Sequence, residues 1–203
     1  MASDTREQFL DTAELLFSER GFYGVSIAAI ASELDLTKQA LLHHFGSKEK
    51  LYGEVLKRIS QQFVSLESDS ASQSNDPEIR LKTYLISLHT PFERGAAPTR
   101  LLMRELLDNK RRADSAGTWY LKPFLERLVD MIIAIPRWQN APRAEAFAAI
   151  YQLLGAINYY SISQPTLTGI FGADAYSEID QAFPTQLERL IDVAVAAGPK
   201  STA

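Results

Sequence analysis

The 203-residue chain contains no cysteine. This absence excludes disulfides, thiolate zinc sites and cysteine nucleophiles, and it is typical of a reducing compartment. The start of the sequence has no long apolar run behind basic residues, so we recognise no signal peptide. No segment approaches the roughly 18 uninterrupted apolar residues that a membrane helix needs. We therefore expect a cytoplasmic globular protein without a membrane partner.

A basic excess is also missing. The chain has 21 Lys and Arg residues against 25 Asp and Glu residues, which gives a formal net charge of −4. The first sixty residues are not basic either, and this balance by itself argues against nucleic acid as a partner. Any such binding must depend on where individual charges lie. With 46% apolar residues and no excess of Pro and Gly, the chain can bury a core, and wholesale disorder is not expected.

Residues 26–51 read SIAAIASELDLTKQALLHHFGSKEKL and are the most informative stretch. Apolar residues recur at helical spacing on both sides of a short polar turn. They are Ile27, Ile30, Ala31 and Leu34 before the turn, and Leu36, Leu41 and Phe45 after it. This layout predicts a helix-turn-helix, which places its second helix in the major groove of DNA. Short helical hairpins also occur in other all-α proteins, but the HHFGSKEKL continuation and the preceding amphipathic helix make this pattern more specific.

Several polar residues of the stretch fit the ends of helices. Ser26 and Thr37 can cap the two short helices, and Ser47 can cap a third. Asp35 lies in the turn, where a left-handed residue is usually needed and Asp is tolerated. Gly46 is placed to end the second helix. These signals predict the boundaries of the motif residue by residue.

The second helix leaves four side chains on its outer face. They are Lys38, Gln39, Leu42 and His43. We expect Lys38, Gln39 and His43 to read bases or neighbouring phosphates, since the Gln39 amide can bond bidentately to adenine. Leu42 can pack on a thymine methyl group, the apolar feature of the major groove.

Three further side chains are predicted to hold the DNA backbone: Ser26, Thr37 and Lys48. Lys48 stands beside a helix N-terminus, which is a natural phosphate-binding end. Most acidic residues of this region are expected on the outer face of the first helix, away from DNA. Only a few side chains are thus predicted to contact phosphates. We therefore expect an affinity for DNA that depends on dimerisation and on salt.

The same residues carry a family resemblance. Residues from about Thr5 to Lys57 resemble the DNA-binding domain of the TetR family of bacterial transcriptional regulators. The matching positions run from Ala13 through Phe17, Gly21 and Phe22 to Ser26, then Ile30-Ala31, Leu34, Leu36-Thr37, Leu41, His43-His44-Phe45, Ser47-Lys48-Glu49 and Leu51. The match covers roughly the first quarter of the chain, and the remainder has the length and helical character that the family implies.

Three positions depart from the family pattern. The family usually has Gly at Asp35, Gly at Gln39 and Tyr at Leu42. That Tyr commonly touches a phosphate, which Leu42 cannot do, whereas Gln39 is a better base reader than Gly. The resemblance therefore implies an operator sequence that differs from that of closer family members.

Helical spacing without alternating strands or internal repeats predicts an all-α chain of about nine helices. We divide it into a three-helix helix-turn-helix DNA-binding domain over residues 1–50 and a larger helical effector-binding and dimerisation domain over residues 51–203. Outside the helix-turn-helix, the predicted helices span residues 4–20, 47 to beyond 63, 77–89, 98–111, 116–135, 142–162 and 184–197. The polar segments 67–78 and 164–172 are predicted loops, and an earlier, kinked start is left open for the last helix.

Aromatic residues concentrate in the second part of the chain. Most are expected to be core, but polar tips on otherwise apolar helices suggest a cavity with a few polar anchors. The resemblance implies an effector pocket there, for an apolar or aromatic small molecule. The residues that we assign to it are His89, Met103, Trp119, Tyr120, Phe124, Tyr151, Asn158 and Tyr159. For His89 the alternative is a satisfied, partly buried histidine near a helix end.

The resemblance also implies that the last two helices form a dimer interface. Leu187, Leu190, Ile191 and Ala194 make an apolar stripe suited to a partner helix, with Ala194 small enough for close approach. Burial of this stripe inside the monomer is the alternative. The basic residues between positions 100 and 112, which include Arg104, are interpreted as a solvated face, although one arginine can meet an anionic effector.

The leading hypothesis is a ligand-responsive transcriptional regulator, a homodimeric repressor that a small molecule releases from a palindromic operator. An enzyme has little support, because no Gly-rich phosphate loop, metal spacing or Ser-His-Asp arrangement is recognisable. A helical protein-interaction module without DNA binding is the alternative. His43 and His44 diverge by roughly 100° on a helix, which makes a poor chelate, so we expect no metal and no cofactor. His43 then faces the groove and His44 packs beneath it.

Overall fold

The computed structural model describes residues 2–71, 74–89, 96–108 and 120–200. These residues form nine α-helices and no strand, which confirms the predicted all-α fold with an N-terminal three-helix helix-turn-helix. The helices are α1 (Ala2–Arg20), α2 (Ile27–Ser32), α3 (Lys38–Phe45), α4 (Lys48–Ala71), α5 (Pro77–His89), α6 (Ala97–Asp108), α7 (Lys122–Ile133), α8 (Arg143–Phe171) and α9 (Ala173–Ala197). In this part of the chain, no helix is both long and apolar enough to span a membrane.

The chain folds as two compact units, and the division does not follow the chain order. The first unit comprises residues 1–61 and 92–121, and the second comprises residues 62–91 and 122–203. Helix α6 thus belongs to the same unit as the helix-turn-helix. The predicted division into residues 1–50 and 51–203 separates DNA binding from effector binding and dimerisation. The compact units do not test these functions, so the division stays a prediction.

The core of the first unit is built on the apolar stripe of α1. Phe9, Ala13 and Phe17 recur at helical spacing and are fully buried, as the sequence predicts. Ile30 of α2 and Leu41 of α3 are buried as well. Burying one such large side chain contributes about 1.5–3 kcal/mol. The short helices α2 and α3 therefore depend on this core more than on their own length.

A buried ion pair ties α1 to α4 in the same unit. The Arg58 guanidinium lies 2.6 Å from Oε2 of Glu14 and 2.7 Å from Oδ1 of Asp11. The Glu14 side chain is only 1% exposed, so its charge depends on this partner. A second ion pair has the opposite polarity, since the Arg6 guanidinium of α1 lies 3.0 Å from the Glu54 carboxylate of α4. Acidic residues of α1 are thus paired with basic residues inside the unit.

The second unit contains α5, α7, α8 and α9, with α8 packed against both α7 and α9. Two buried hydrogen bonds satisfy the polar ends of aromatic side chains in this unit. The Tyr84 hydroxyl donates to the Phe63 carbonyl oxygen at 2.7 Å, and Trp138 Nε1 donates to the Val195 carbonyl oxygen at 2.9 Å. Both aromatic side chains can be buried because their polar ends are satisfied.

The loop predicted for residues 164–172 is wrong, since α8 continues through Pro165 to Phe171. Proline costs about 3 kcal/mol inside a helix, but packing of α8 along α9 can offset such a local preference. Gly172, with φ of 85°, then separates the two helices. Helix α9 takes the early start that was left open and contains Pro184 within it.

The loop predicted for residues 67–78 is also shorter than expected. Helix α4 runs to Ala71, and α5 begins at Pro77, where Oδ1 of Asp76 accepts a hydrogen bond from the Glu78 N–H at 2.8 Å. Polar side chains alone do not end a helix, because its exposed face tolerates them. For the helix predicted over residues 116–135, α7 begins at Lys122 with Pro123 in its first turn, and residues 109–119 lie outside the described ones.

Candidate nucleic-acid interface

The turn between α2 and α3 has the predicted left-handed residue. Asp35 adopts φ of 54°, and its N–H donates to the Ser32 carbonyl oxygen at 3.1 Å. The Leu36 N–H then donates to the Ala31 carbonyl oxygen at 2.9 Å. These bonds reverse the chain within a few residues. Buried Ala31 lies at this crossing, where its small side chain lets the two helices approach.

The predicted caps are present at the starts of α2, α3 and α4. Ser26 Oγ accepts from the Ala29 N–H at 3.0 Å, and Thr37 Oγ1 accepts from the Ala40 N–H at 3.2 Å. Ser47 Oγ accepts from the Lys50 N–H at 3.2 Å. Each bond satisfies a backbone donor that has no partner within its own helix. Gly46 ends α3 with φ of 76°.

The outer face of α3 presents polar side chains to solvent. Lys38, Gln39 and His43 are exposed, and Leu42 is half-buried. On the inner face, Leu41 and Phe45 are buried in the core of the unit. Core packing therefore holds α3 from beneath while its outer side chains stay available for a partner.

His44 takes the packed position expected for it. Its ring lies 5.9 Å from the Phe9 ring of α1, while His43 is exposed. In the part of the chain that the structure describes, no group of three or more His, Asp or Glu side chains is arranged to hold a metal ion. Both histidines thus take the places that helical geometry predicts for neighbouring residues.

Lys48 lies at the start of α4, beside α3, and has an aromatic contact that the sequence analysis missed. Its Nζ is 4.3 Å from the centroid of the Phe22 ring. Burial lowers the pKa of Lys48, and the Glu49 carboxylate opposes this shift. Phe22 was named only as a position that matches the family pattern, because no local spacing rule pairs it with a residue so much later in the chain.

Helix α6 contributes three more hydrogen bonds to this unit. Arg104 Nε and Nη2 donate to the carbonyl oxygens of Ser18 and Glu19 at 2.8 and 2.6 Å. The Tyr52 hydroxyl donates to Oε2 of Glu105 at 2.6 Å. The interpretation of Arg104 as part of a solvated face is therefore wrong, because its guanidinium caps the C-terminal end of α1.

The residues assigned to an effector pocket are divided between the two units, and the assignment stays a prediction. Met103 and Tyr120 lie in the first unit, and Trp119 lies outside the described residues. In the second unit the Phe124 ring stacks on the Phe63 ring at 4.9 Å. His89 is half-buried, with its ring 4.7 Å from Phe183 and 5.5 Å from Tyr160.

Other residues assigned to the pocket point outward from the second unit. Tyr159 is 72% exposed, and Tyr151 is exposed with its ring stacked on Phe147 at 5.3 Å. Asn158 is half-buried. Tyr151 and Tyr159 thus lie on the exposed face of α8. Helical periodicity alone does not tell which apolar face of a helix is covered.

A small cavity opens between α5 and α7, and none of the assigned residues lines it. Its volume is about 130 Å³, and it is lined by Pro77, Arg80, Arg127, Asp130, Met131 and Ala134. Pockets for drug-sized ligands usually enclose roughly 300–1,000 Å³. This cavity is therefore too small for the apolar or aromatic effector that the sequence suggests.

The stripe assigned to a dimer interface is divided between the interior and the surface. Leu187 and Ile191 are buried within the second unit, as the alternative interpretation expects. Leu190 is exposed and Ala194 is half-buried. Val193, which was not assigned, is 68% exposed. The exposed apolar side chains of α9 are thus shifted around the helix from the predicted stripe.

Residues 9–55 match the sequence profile of the bacterial regulatory proteins of the tetR family. The chain is also similar to the HTH-type transcriptional repressor NicS of Pseudomonas putida, with 28% identity over 134 residues. That match covers 62% of this chain and 63% of the repressor. The chain thus spans less than two thirds of the length of this curated relative.

Solved structures share the fold over nearly the whole chain. The fatty acid degradation regulator FadR from Bacillus halodurans superposes with a TM-score of 0.71 at 13% identity and covers 94% of both chains. A transcriptional regulator from Saccharomonospora viridis in complex with choline gives a TM-score of 0.66 at 22% identity, covering 94% of this chain and 96% of that one. At these identities the likeness establishes the fold.

Proposed function

Because this chain belongs to the TetR family of bacterial regulatory proteins, we propose that it is a transcriptional regulator that binds operator DNA as a homodimer. One observation carries the proposal. Helix α3 is packed from beneath and capped at its start, while Lys38, Gln39 and His43 project from its outer face. A supported helix with exposed polar side chains is what major-groove reading requires.

Specificity in this proposal comes from α3. Gln39 reads adenine through its amide, and Lys38 and His43 contact bases or neighbouring phosphates. The exposed part of Leu42 packs on a thymine methyl group. These contacts distinguish sequences because base edges carry distinct donor and acceptor patterns, which phosphates lack.

In this proposal the DNA backbone is bound by residues at the starts of α2, α3 and α4. Ser26 and Thr37 use an acceptor lone pair for their caps, so each hydroxyl hydrogen is still available for a phosphate oxygen. Lys48 stands at the N-terminus of α4, where backbone N–H groups favour an anion. Arg6 and Arg58 are paired with carboxylates of the same unit, so the footprint is modest and binding is sensitive to salt.

Dimerisation fits the exposed apolar surface of the second unit. On α8, Phe147, Tyr151 and Tyr159 are exposed at helical spacing, and on α9 Leu190 and Val193 are exposed. Large apolar side chains exposed along one helix face are typical of interaction sites. A second copy would cover these residues and place two α3 helices on a palindrome, about one turn of DNA apart, or roughly 35 Å.

Repression with release by a small molecule is the proposed mode of control. NicS is a repressor, and the Saccharomonospora viridis regulator binds choline, so both properties occur among proteins of similar sequence or fold. We propose an apolar or aromatic effector that contacts the aromatic interior of the second unit near His89 and Phe124. An effector that prefers one dimer geometry by a few kcal/mol is sufficient to change operator occupancy.

Selection of bound DNA from a genomic fragment library, at two salt concentrations, tests the proposal. The expected result is a palindromic site that the Gln39→Ala variant no longer prefers. Lys122→Ala is the matched control, since Lys122 is an exposed lysine of the second unit and its loss should leave the preference unchanged. Absence of any enriched DNA at both salt concentrations would contradict DNA binding by the purified protein.

A further inference from the structure

The contact between Phe22 and Lys48 joins the segment before α2 to the start of α4. The Lys48 Nζ lies 4.3 Å from the Phe22 ring centroid, well inside the roughly 6 Å at which a cation interacts with an aromatic face. The same ring lies 5.0 Å from that of Tyr52, one helical turn further along α4. Phe22 therefore contacts two successive turns of the helix whose N-terminus carries Lys48.

A lysine at this position is unfavourable for the free protein. The N-terminus of a helix carries a partial positive charge, which repels a cation. The Lys48 ammonium is also partly removed from water, and this desolvation lowers its pKa. The helix dipole and desolvation therefore oppose an ammonium here, whereas the Phe22 ring and an anion bound at the helix N-terminus favour it.

The position of the ring is set by buried contacts. The Tyr52 hydroxyl donates to Oε2 of Glu105 at 2.6 Å, and the two side chains are 4% and 5% exposed. Phe22 also stacks against Phe17, with ring centroids 6.1 Å apart. The Phe22 ring is thus held by the core of the first unit, while the mobile partner of the contact is the long lysine side chain.

We propose that Phe22 is a positioning residue for DNA-backbone binding, because its ring holds the Lys48 ammonium at the N-terminus of α4. This inference rests on the proposed function and assigns to Phe22 a role beyond core packing. A free lysine side chain loses rotamer entropy when it is ordered. Holding it in place before DNA arrives lowers that cost, which strengthens binding without a new contact to DNA.

A double-mutant cycle on DNA affinity tests the inference. The proteins are the wild type, Phe22→Leu, Lys48→Met and the double variant, with a duplex that the wild type selects. Phe22→Leu is expected to weaken binding roughly two- to fivefold for each protomer of the dimer, the range set by one exposed cation–π contact. When Lys48→Met is already present, the same change should have no further effect. Lys48→Met alone should reduce the slope of log affinity against log salt by about 1.8, because the dimer loses two phosphate contacts at about 0.9 each.

Two conservative variants separate positioning from folding. Phe22→Tyr keeps an aromatic face and should bind DNA like the wild type, whereas Phe22→Met keeps an apolar side chain of similar size and should weaken binding like Phe22→Leu. Melting curves establish a temperature at which every variant is folded, and affinities are compared there. If Phe22→Leu does not fold, the cycle is run with Phe22→Met.

The outcomes distinguish this inference from the function on which it rests. If the Phe22 substitution weakens DNA binding equally with and without Lys48→Met, the positioning role of Phe22 is overturned. A DNA affinity of Phe22→Met equal to that of the wild type would overturn it as well. A wild type that binds no duplex would instead overturn the proposed function and the inference together. In the free protein, the Lys48 Hε protons should be shifted upfield by the ring current and lose that shift in Phe22→Leu.

Discussion

Asp35 adopts a backbone geometry that is unfavourable for a residue with a side chain. Among the described residues it alone combines a side chain with a positive φ, 54°. Left-handed geometry costs most L-residues about 1–2 kcal/mol, although the short polar chain of Asp reduces this. The side chain is exposed, so a substitution there acts mainly through the backbone.

Replacing Asp35 tests this geometry. Asp35→Ala should lower the free energy of unfolding by about 1 kcal/mol, because Ala keeps a Cβ and lacks the local hydrogen bonding of Asp. Asp35→Gly should be at least as stable as the wild type, since Gly adopts positive φ without steric cost. Urea unfolding of the three proteins measures both effects. Equal stability of the Ala and Gly variants would show that the turn is not strained.

His89 gives a second prediction for a single residue, through pH. Burial lowers the pKa of His89, while the Asp180 carboxylate opposes this shift, and the neighbouring Tyr160 and Phe183 rings are not charged at neutral pH. Below about pH 6.5 the unfolded state therefore binds more protons at this position than the folded state. The free energy of unfolding should fall as the pH drops from about 6.5 towards the lowered pKa.

The contribution of His89 can be isolated by substitution. His89→Gln removes the titrating group, so this variant should lose less stability than the wild type between about pH 7.5 and about pH 5.5, which bracket the ordinary histidine pKa. Urea unfolding at both pH values gives the comparison, and titration of all other groups is common to the two proteins. An identical loss in both would mean that His89 is not desolvated in the folded state.

At the scale of helices, the first unit is held by contacts between elements far apart in sequence. Arg58 of α4 pairs with Glu14 of α1, and Arg104 of α6 bonds to the last carbonyl groups of α1. The short helices α2 and α3 are too short to be stable alone, since isolated helices below about 12 residues are marginal in water. Their geometry therefore follows from how α1, α4 and α6 pack.

Substitution of Arg104 tests the contribution of α6. Arg104→Met keeps much of the apolar stem but removes two charge-assisted hydrogen bonds to α1, so the free energy of unfolding should fall by about 1–2 kcal/mol. Arg100→Met, one turn earlier on α6, is the matched control and should change it by less than about 0.5 kcal/mol. Chemical unfolding measures both variants. Equal effects would assign the loss to the stem instead of the cap.

At the scale of the whole molecule, the exposed apolar surface of α8 is the part of the second unit on which the proposed dimer depends. Gly155 lies between Tyr151 and Tyr159 on this surface, and a Cβ placed on Gly155 would meet no atom within 4 Å. A side chain there is thus compatible with the folded monomer. It would project into the space that a partner helix is proposed to occupy.

Gly155→Glu should therefore separate the proposed dimer into folded monomers. Placing a carboxylate against apolar helices leaves a buried charge without a partner, which is strongly unfavourable. Sedimentation equilibrium measures the mass, and circular dichroism checks that the helices remain. Ile79→Glu is the matched control, since Ile79 is an exposed apolar residue on α5. A dimer that persists in Gly155→Glu, or a wild type that is monomeric, would place the interface elsewhere or exclude it.

Much of the helix-turn-helix was predictable because its signals are local. A cap requires a hydroxyl three residues from a backbone N–H, as for Thr37 and Ala40, and a buried stripe requires only helical spacing, as for Phe9 and Ala13. Prediction was poorer at Pro165, where packing of α8 on α9 overrides the local cost of proline. Local rules describe preferences, and tertiary contacts can exceed them.

The sequence by itself determined the helical fold, the boundaries and caps of α2 and α3, and the identity of the side chains outside the core of α3. Tertiary structure decided which charges are paired internally, as with Arg58, and which helix caps α1, as with Arg104. It also decided that Phe22 meets Lys48 and that Ile191 is buried while Val193 is exposed. These outcomes depend on which distant helices meet and on their rotation about their axes, and neither quantity is encoded in the spacing within one helix.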